Sequence, residues 1–258
     1  MTYYDQHMHT HFSPDSSETF EAYLALTDGI IVTTEHLDFK DAYNGGQDTI
    51  LDYQSYSEKI AHLNDSYKDR IRRGIEVGYT RQSASDIQAY LKDKAFDVVL
   101  LSVHQNGQFD FLMAEVEKHN PTDVMKEYFE LCLEAVQQFD GANVFAHFDY
   151  GLRRLDVSVD DLIAFKPILK ELLSTLVVKE MALELNTRSM YDYGNIDLYR
   201  YMIQLYLSVG GRRFSLGSDA HSTAKYRYRF DDAIQLLKEM DVHEVVQFKQ
   251  QQAYVVAI

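Results

Sequence analysis

Short apolar and β-branched runs recur along the chain, separated by longer stretches with helical period. The runs fall at 3–7, 29–34, 71–77, 97–103, 142–146, 181–186 and 213–217, and a last one closes the chain at 253–258. Runs this short, bounded by polar residues, predict buried strands. Between the first two, Ser17 and Glu18 precede apolar Phe20, Tyr23, Leu24 and Leu26, the pattern of a capped helix. Pro121 opens PTDVMKEYFELCLEAVQQF with Asp123 in the first turn; proline suits that place because the first helical N–H has no partner. Further helices are predicted over 53–67, 160–173, 196–209 and 231–240. Strand and helix alternate about seven times, which predicts a parallel sheet covered by helices. There is no repeat and no Pro/Gly-rich break, and the glycine fingerprint of a dinucleotide fold is missing after the first run. The expected architecture is therefore α/β, an imperfect (β/α) barrel, in a single domain over 1–258.

Composition narrows the function. The 258 residues carry 25 Lys and Arg against 40 Asp and Glu, a formal charge of −15. Nucleic-acid backbones are held by clustered cations, so the expectation is no nucleic-acid partner. The N-terminal MTYYDQHMHT lacks a basic and an apolar segment of a leader, and no apolar run is long enough to span a bilayer. A cytoplasmic protein without a membrane partner is expected; its oligomeric state is left open. The single cysteine, Cys132 in FELCLEAV, excludes a disulfide framework and a thiolate zinc cluster, and reads as a buried core thiol.

The histidines carry the chemistry. Six of ten sit at the ends of predicted strands: His7 and His9 after the first, then His36, His104, His147 and His221. Glu76 lies on the third strand and Asp219 follows the seventh. In a β/α barrel those ends meet at one mouth, so residues far apart in sequence converge. His7-x-His9 and Asp219-x-His221 project both side chains to one side of an extended segment. Imidazole with carboxylate suits Zn, Mn or Fe, and so many ligands exceed the needs of one ion. His62 and His119 read as solvated positions, and His11 and His243 carry no pattern.

These motifs, HMHTHFSPD at 7–15, TTEH at 33–36, GIEVGY at 74–79, SVH at 102–104, AHFD at 146–149 and GSDAH at 217–221, resemble the PHP (polymerase and histidinol phosphatase) family in order and spacing over the whole chain. LELNT at 183–187 is similar to the histidinol-phosphate phosphatase branch. The resemblance implies a distorted (β/α)7 barrel, TIM-like, with three divalent metal ions, a mixture of Zn, Mn or Fe. It implies one ion at His7, His9, Glu76 and Asp219, a second at Asp15, His36 and His221, and a third at Glu76, His104 and His147, with Glu76 bridging. Some family members have His in place of Asp15, which shifts the preferred metal.

Three divalent ions, three carboxylates and a bridging hydroxide leave a net charge of about +2, matched to a phosphate monoester dianion. The expected reaction is hydrolysis of a small-molecule phosphate ester, L-histidinol phosphate, to L-histidinol and phosphate in histidine biosynthesis. A metal-bridging hydroxide would attack phosphorus, with Glu76 and Asp219 in the catalytic set. Arg153, Arg154 and Arg188 follow strand ends and are expected to hold the phosphate, Arg154 and Arg188 foremost, with Asn186 beside the substrate. Arg188 departs from the family pattern, which more often has a small residue after LELNT. Asp149, Tyr79 and metal-bound water are candidates to protonate the leaving group; Asp41, Tyr43, Tyr191 and Asp192 are acidic and aromatic loop residues suited to the organic half. The alternatives are a PHP phosphoesterase acting on another small ester or phosphotyrosine, a DNA-processing exonuclease, and a catalytically dead metal-binding module.

Overall fold

The computed structural model describes residues 3–258. Met1 and Thr2, which belong to the expected 1–258 domain and to the segment read for a leader, lie outside the described residues. In chain order the strands are β1 (Ile31–Asp41), β2 (Gln47–Thr49), β3 (Ile71–Gly78), β4 (Val98–Ser102), β5 (Val144–Phe145), β6 (Ala182–Asn186), β7 (Phe214–Gly217), β8 (Glu244–Lys249) and β9 (Gln252–Ala257). Six of them run parallel in the order β1-β3-β4-β5-β6-β7, and β2 folds back antiparallel on β1. Helices cover the outer face: α1 (Phe20–Leu24), α2 (Tyr53–Tyr67), α3 (Ala84–Leu91), α4 (Pro121–Gln138), α5 (Val159–Ala164), α6 (Lys166–Val178), α7 (Thr187–Tyr191), α8 (Ile196–Ser208) and α9 (Phe230–Glu239). None of the described helices is long and apolar enough to cross a membrane.

The run at 3–7 does not form a regular strand. It lies extended between the two ends of the parallel ladder and changes partners residue by residue. Gln6 N–H donates to Leu216 O (3.1 Å), Asp219 N–H to His7 O and Thr34 N–H to Met8 O (both 2.8 Å). The segment thus spans the gap between β7 and β1, which is the distortion of the barrel. The final run pairs as β9 with β8 in an antiparallel hairpin outside the ladder. The Gln6 amide donates to Val246 O and accepts from Phe248 N–H, tying that hairpin to the N-terminal segment.

The helices follow their caps. Thr19, not Ser17, caps α1, accepting from Ala22 N–H, and Leu26 falls beyond its end. Asn120 caps α4 ahead of Pro121, as a residue preceding N1 should. The stretch expected as one helix over 160–173 is two, α5 and α6, separated at Phe165. Pro167 in the first turn of α6 has no N–H to continue the preceding ladder.

Inside the barrel, Val32, Val98, Leu100, Val144 and Ala182 form a small apolar plug, closed from below by Val246 and Phe248 of the hairpin. Strand alternation then puts polar residues at the other end of the same interior. Thr34, His36 and Asp38 of β1 stand opposite Gly74, Glu76 and Gly78 of β3.

Candidate metal centre

Glu76 is the centre of the polar end. It is 1% exposed, and five imidazoles surround it. Its Oε2 faces His7 Nε2 at 3.3 Å, His9 Nε2 at 3.4 Å and His36 Nδ1 at 3.3 Å. Its Oε1 faces His147 Nε2 at 2.7 Å and His104 Nε2 at 3.2 Å, and accepts from Ser102 Oγ at 2.6 Å. Asp219 Oδ1 lies 3.9 Å from His7 Nε2 and 3.7 Å from His9 Nε2. On the open side, Asp15 Oδ2 is 2.7 Å from His221 Nε2 and 3.4 Å from His36 Nε2.

These separations fit a metal. Two ligand atoms each about 2.1 Å from a tetrahedral ion lie about 3.4 Å apart. Four overlapping groups bring their ligand atoms within 4.8 Å of one another: His7, His9 and Glu76; His7, His147 and Asp219; His9, His36 and His221; His36, Glu76 and His104. His7 Nε2, His9 Nε2 and His36 Nδ1 are buried without a hydrogen-bond partner. Buried polar nitrogens that converge without donors of their own are what a cation would satisfy.

On three of the rings the far nitrogen is already held. His104 Nδ1 meets Asp38 Oδ1 at 2.8 Å, His9 Nδ1 meets Ser13 Oγ at 3.2 Å, and His7 Nδ1 meets Glu184 Oε1 at 2.7 Å. Such contacts orient a ligating ring and direct its other nitrogen to the ion. Ser13 in turn donates to buried Glu35, which also takes the Thr10 N–H. Gly78 makes room for this arrangement, since a Cβ there would overlap Asp38 and approach His104 Nδ1 to 3.0 Å. Asp219 sits at φ 53°, a left-handed conformation that aspartate tolerates better than most residues.

The charges are strongly coupled. Burial opposes ionisation of Glu76, but the His7, His104 and His36 imidazoles outweigh it and hold the carboxyl well below its usual range. Asp219 is likewise held low against burial, by Arg188, His7 and Arg153. Burial would lower His104, yet Asp38 and Glu76 raise it to about 10.

A cavity of about 480 Å³ opens above these residues. Six carboxylates line it, those of Asp15, Asp38, Asp41, Glu76, Asp110 and Asp219, with only two guanidiniums, Arg153 and Arg188. Without added cations such a wall repels a phosphate. Arg153 reaches Asp219 Oδ2 at 3.2 Å and Ser189 Oγ at 2.7 Å, its guanidinium carbon 4.9 Å from the ring centroids of both Tyr150 and Tyr193. Arg188 reaches Asp219 Oδ1 at 3.3 Å.

The comparisons with known proteins agree with this geometry. The PHP domain model matches residues 5–188. The chain belongs to the PHP family. It is 32% identical over 259 residues to the histidinol-phosphatase of Lactococcus lactis, covering 95% of this chain and 93% of the relative. It is 24% identical to a probable histidinol-phosphatase of Clostridium acetobutylicum, covering 94% and 95%. A crystal structure of L. lactis histidinol phosphate phosphatase complexed with Zn, L-histidinol and phosphate superposes with a TM-score of 0.85 at 28% identity, covering 97% of this chain and 98% of that one.

In this PHP-domain protein some expected residues lie elsewhere. Arg154 is outside the cavity wall; its Nε pairs with Glu117 at 3.2 Å. Asn186 caps α7, accepting from Ser189 N–H, and is fully buried. Asp149 is buried beneath the site, bonded to Asn195 and Tyr199, and Tyr79 donates to Glu134 in a separate surface groove. Neither reaches the cavity as a proton donor. Asp41 and Tyr43 do line it, whereas Tyr191 lies under Arg229 and Asp192 pairs with Lys225. His11, His62, His119 and His243 stay out of the cluster. Asp38, Asp110 and Glu184 were not singled out from the sequence. Asp38 was detectable, because His36-x-Asp38 has the same two-residue spacing that marks His7 and His9.

Proposed function

We propose that this protein hydrolyses L-histidinol phosphate to L-histidinol and phosphate, as a single domain carrying three divalent ions drawn from Zn, Mn and Fe. The observation that carries the reading is Glu76, whose two oxygens face different groups of imidazoles in a cavity with too few cations of its own for a phosphate. The ligand sets are His7, His9, Glu76 and Asp219; Asp15, His36 and His221; and Glu76, His104 and His147. When bound, divalent ions supply Lewis acidity toward water and toward the phosphoryl oxygens. The chain's own residues do the rest. Arg153 is nearly buried and presents a planar fork to the phosphate, and Arg188 closes on it from the more open side. Both lie on Asp219 here, and a phosphate is a competing acceptor for the same donors. The organic half of the substrate carries an ammonium and an imidazole. Asp41 and Asp110 hydrogen-bond to neutral donors within the wall and offer negative charge to that half, with Tyr43 alongside.

The test is phosphate release from L-histidinol phosphate and from a panel of other monoesters, including phosphotyrosine, by metal-stripped protein reloaded with Mn²⁺ or Zn²⁺. Metal-dependent turnover with strong preference for histidinol phosphate is expected. Equal turnover over the panel would replace the substrate with a broader class of ester, and no metal dependence would remove the mechanism.

A further inference from the structure

LELNT stands out in the sequence, yet the strand it occupies, β6, supplies no residue of the ligand sets. Its inward carboxylate, Glu184, is 1% exposed and lies behind the histidines rather than on the cavity wall. It makes three contacts. Oε1 meets His7 Nδ1 at 2.7 Å, while Oε2 accepts from the His147 backbone N–H at 2.8 Å and from Asn186 Nδ2 at 3.1 Å. Gly217 on β7 leaves the space, because a Cβ there would overlap Oε1 and lie 2.6 Å from His7 Cβ. One carboxylate therefore touches the ring of one ligand and the backbone of another, and these belong to two different ligand sets.

We propose that Glu184 is a positioning residue that couples two metal positions, fixing His7 with its proton on Nδ1 and Nε2 free for an ion while holding the His147 backbone in register. The inference rests on the ligand sets proposed above. An ionised carboxylate only accepts: the His147 N–H is a fixed donor to it, and opposite such an acceptor His7 is left the tautomer that donates from Nδ1. In Glu184→Gln one oxygen becomes an NH₂. If the amide oxygen stays on His7, the NH₂ confronts the His147 N–H, donor against donor. If the amide turns over, the NH₂ faces His7 Nδ1, and the ring must move its proton to Nε2, the atom that faces Glu76 and Asp219. Neither orientation serves both histidines.

The experiment is Zn²⁺ titration of the metal-free wild type, Glu184→Gln and Glu184→Asp against a competing chelator, with the thermal midpoint of each metal-free protein measured alongside. Outer contacts of this kind change metal affinity about 10- to 100-fold. A loss of that size is expected at two positions together in Glu184→Gln. Glu184→Asp, which keeps the charge but withdraws it by one methylene, is expected to lose affinity as well. Unchanged Zn²⁺ affinity with a lowered midpoint would make Glu184 a packing residue and overturn the proposal. Weakening at one position alone would overturn the coupling, and full retention in Glu184→Asp would overturn the positioning role by assigning the effect to charge alone. If neither variant folds, ¹⁵N spectra of the Zn²⁺-loaded wild type decide: His7 is expected to carry a proton on Nδ1, and an unprotonated Nδ1 overturns the proposal. Failure of the wild type to take up Zn²⁺ would remove the metal centre as a whole, an outcome distinct from any of these.

Discussion

The three arginines after the fifth and sixth strands make separable predictions. Arg153→Met keeps an unbranched apolar side chain and removes the guanidinium that lies against Tyr150 and Tyr193. Two charge-assisted hydrogen bonds to a phosphate are worth about 1.5–3 kcal/mol each, so about 3–6 kcal/mol are at stake. Arg188 and the bound ions recover part of this, leaving a net loss near 3 kcal/mol, or about 100-fold in kcat/KM. Arg188 is 32% exposed on its side chain and works through more solvent, so Arg188→Met is expected to cost about 10-fold. Arg154→Met is the internal control: its guanidinium is on Glu117, outside the cavity, and the change stays within about twofold. The assay is steady-state phosphate release from L-histidinol phosphate by metal-loaded protein, with thermal midpoints compared to exclude unfolding. An Arg154 variant as damaged as the Arg153 variant, or an Arg153 variant within threefold of wild type, would refute the assignment.

Metal uptake should expel protons, because Asp38 and Glu76 raise His104 to about 10 against burial, and His7 is raised by Glu184 and Glu76 in the same way. Calorimetry at pH 7 in buffers of different ionisation enthalpy should read a release of about one to three protons per chain, and metal affinity should rise with pH; zero release would contradict the coupled site. Burial pushes Asp110 up to about 6 from an ordinary 3.8. A carboxyl raised on folding costs stability where it is ionised, so its favourable contribution is lost as pH rises through about 6. Metal-free Asp110→Asn should therefore exceed wild type in unfolding free energy at pH 8 by up to about 3 kcal/mol, and the gap should close by pH 4; a gap independent of pH would refute this. Gly78→Ala drives a methyl into Asp38 and should lower metal content measured by elemental analysis, whereas wild-type content would show that the Asp38–His104 contact is dispensable. The Cys132 thiol is pushed up by burial and should resist iodoacetamide in the native protein while reacting in denaturant.

The legible part of this fold was the part written in period. Alternation of short apolar runs with helical stretches gives the parallel order, and strand-end histidines converge because such a barrel has one mouth. What escaped that reading depends on contacts distant in sequence. The segment at 3–7 has strand composition but shares its hydrogen bonds between β7, β1 and the β8–β9 hairpin, so no single pairing makes it regular. Whether Ser17 or Thr19 caps α1 turns on where the chain leaves the loop around His11, whose N–H donates to Glu18 O. Arg153 and Arg154 are adjacent and alike in sequence, and only the short turn over 150–152 decides which faces the cavity. The orienting carboxylates Asp38 and Glu184 look like ordinary strand residues until the ring nitrogens they hold are located.

The N-terminal segment has a consequence for the order in which the molecule is made. It is made before the strands it joins; its partner Thr34 follows soon after, but its other hydrogen-bond partners lie at 216–220 and in the hairpin at 246–248, more than two hundred residues later. Contacts of such separation form late, because a long loop must close before they contribute. His7 and His9 therefore wait on a nascent chain without Asp219, so the proposed set of His7, His9, Glu76 and Asp219 is completed only once β7 has been made. Closing the seam between β7 and β1 is therefore expected to be a late act of folding, and that seam the line along which the barrel opens first.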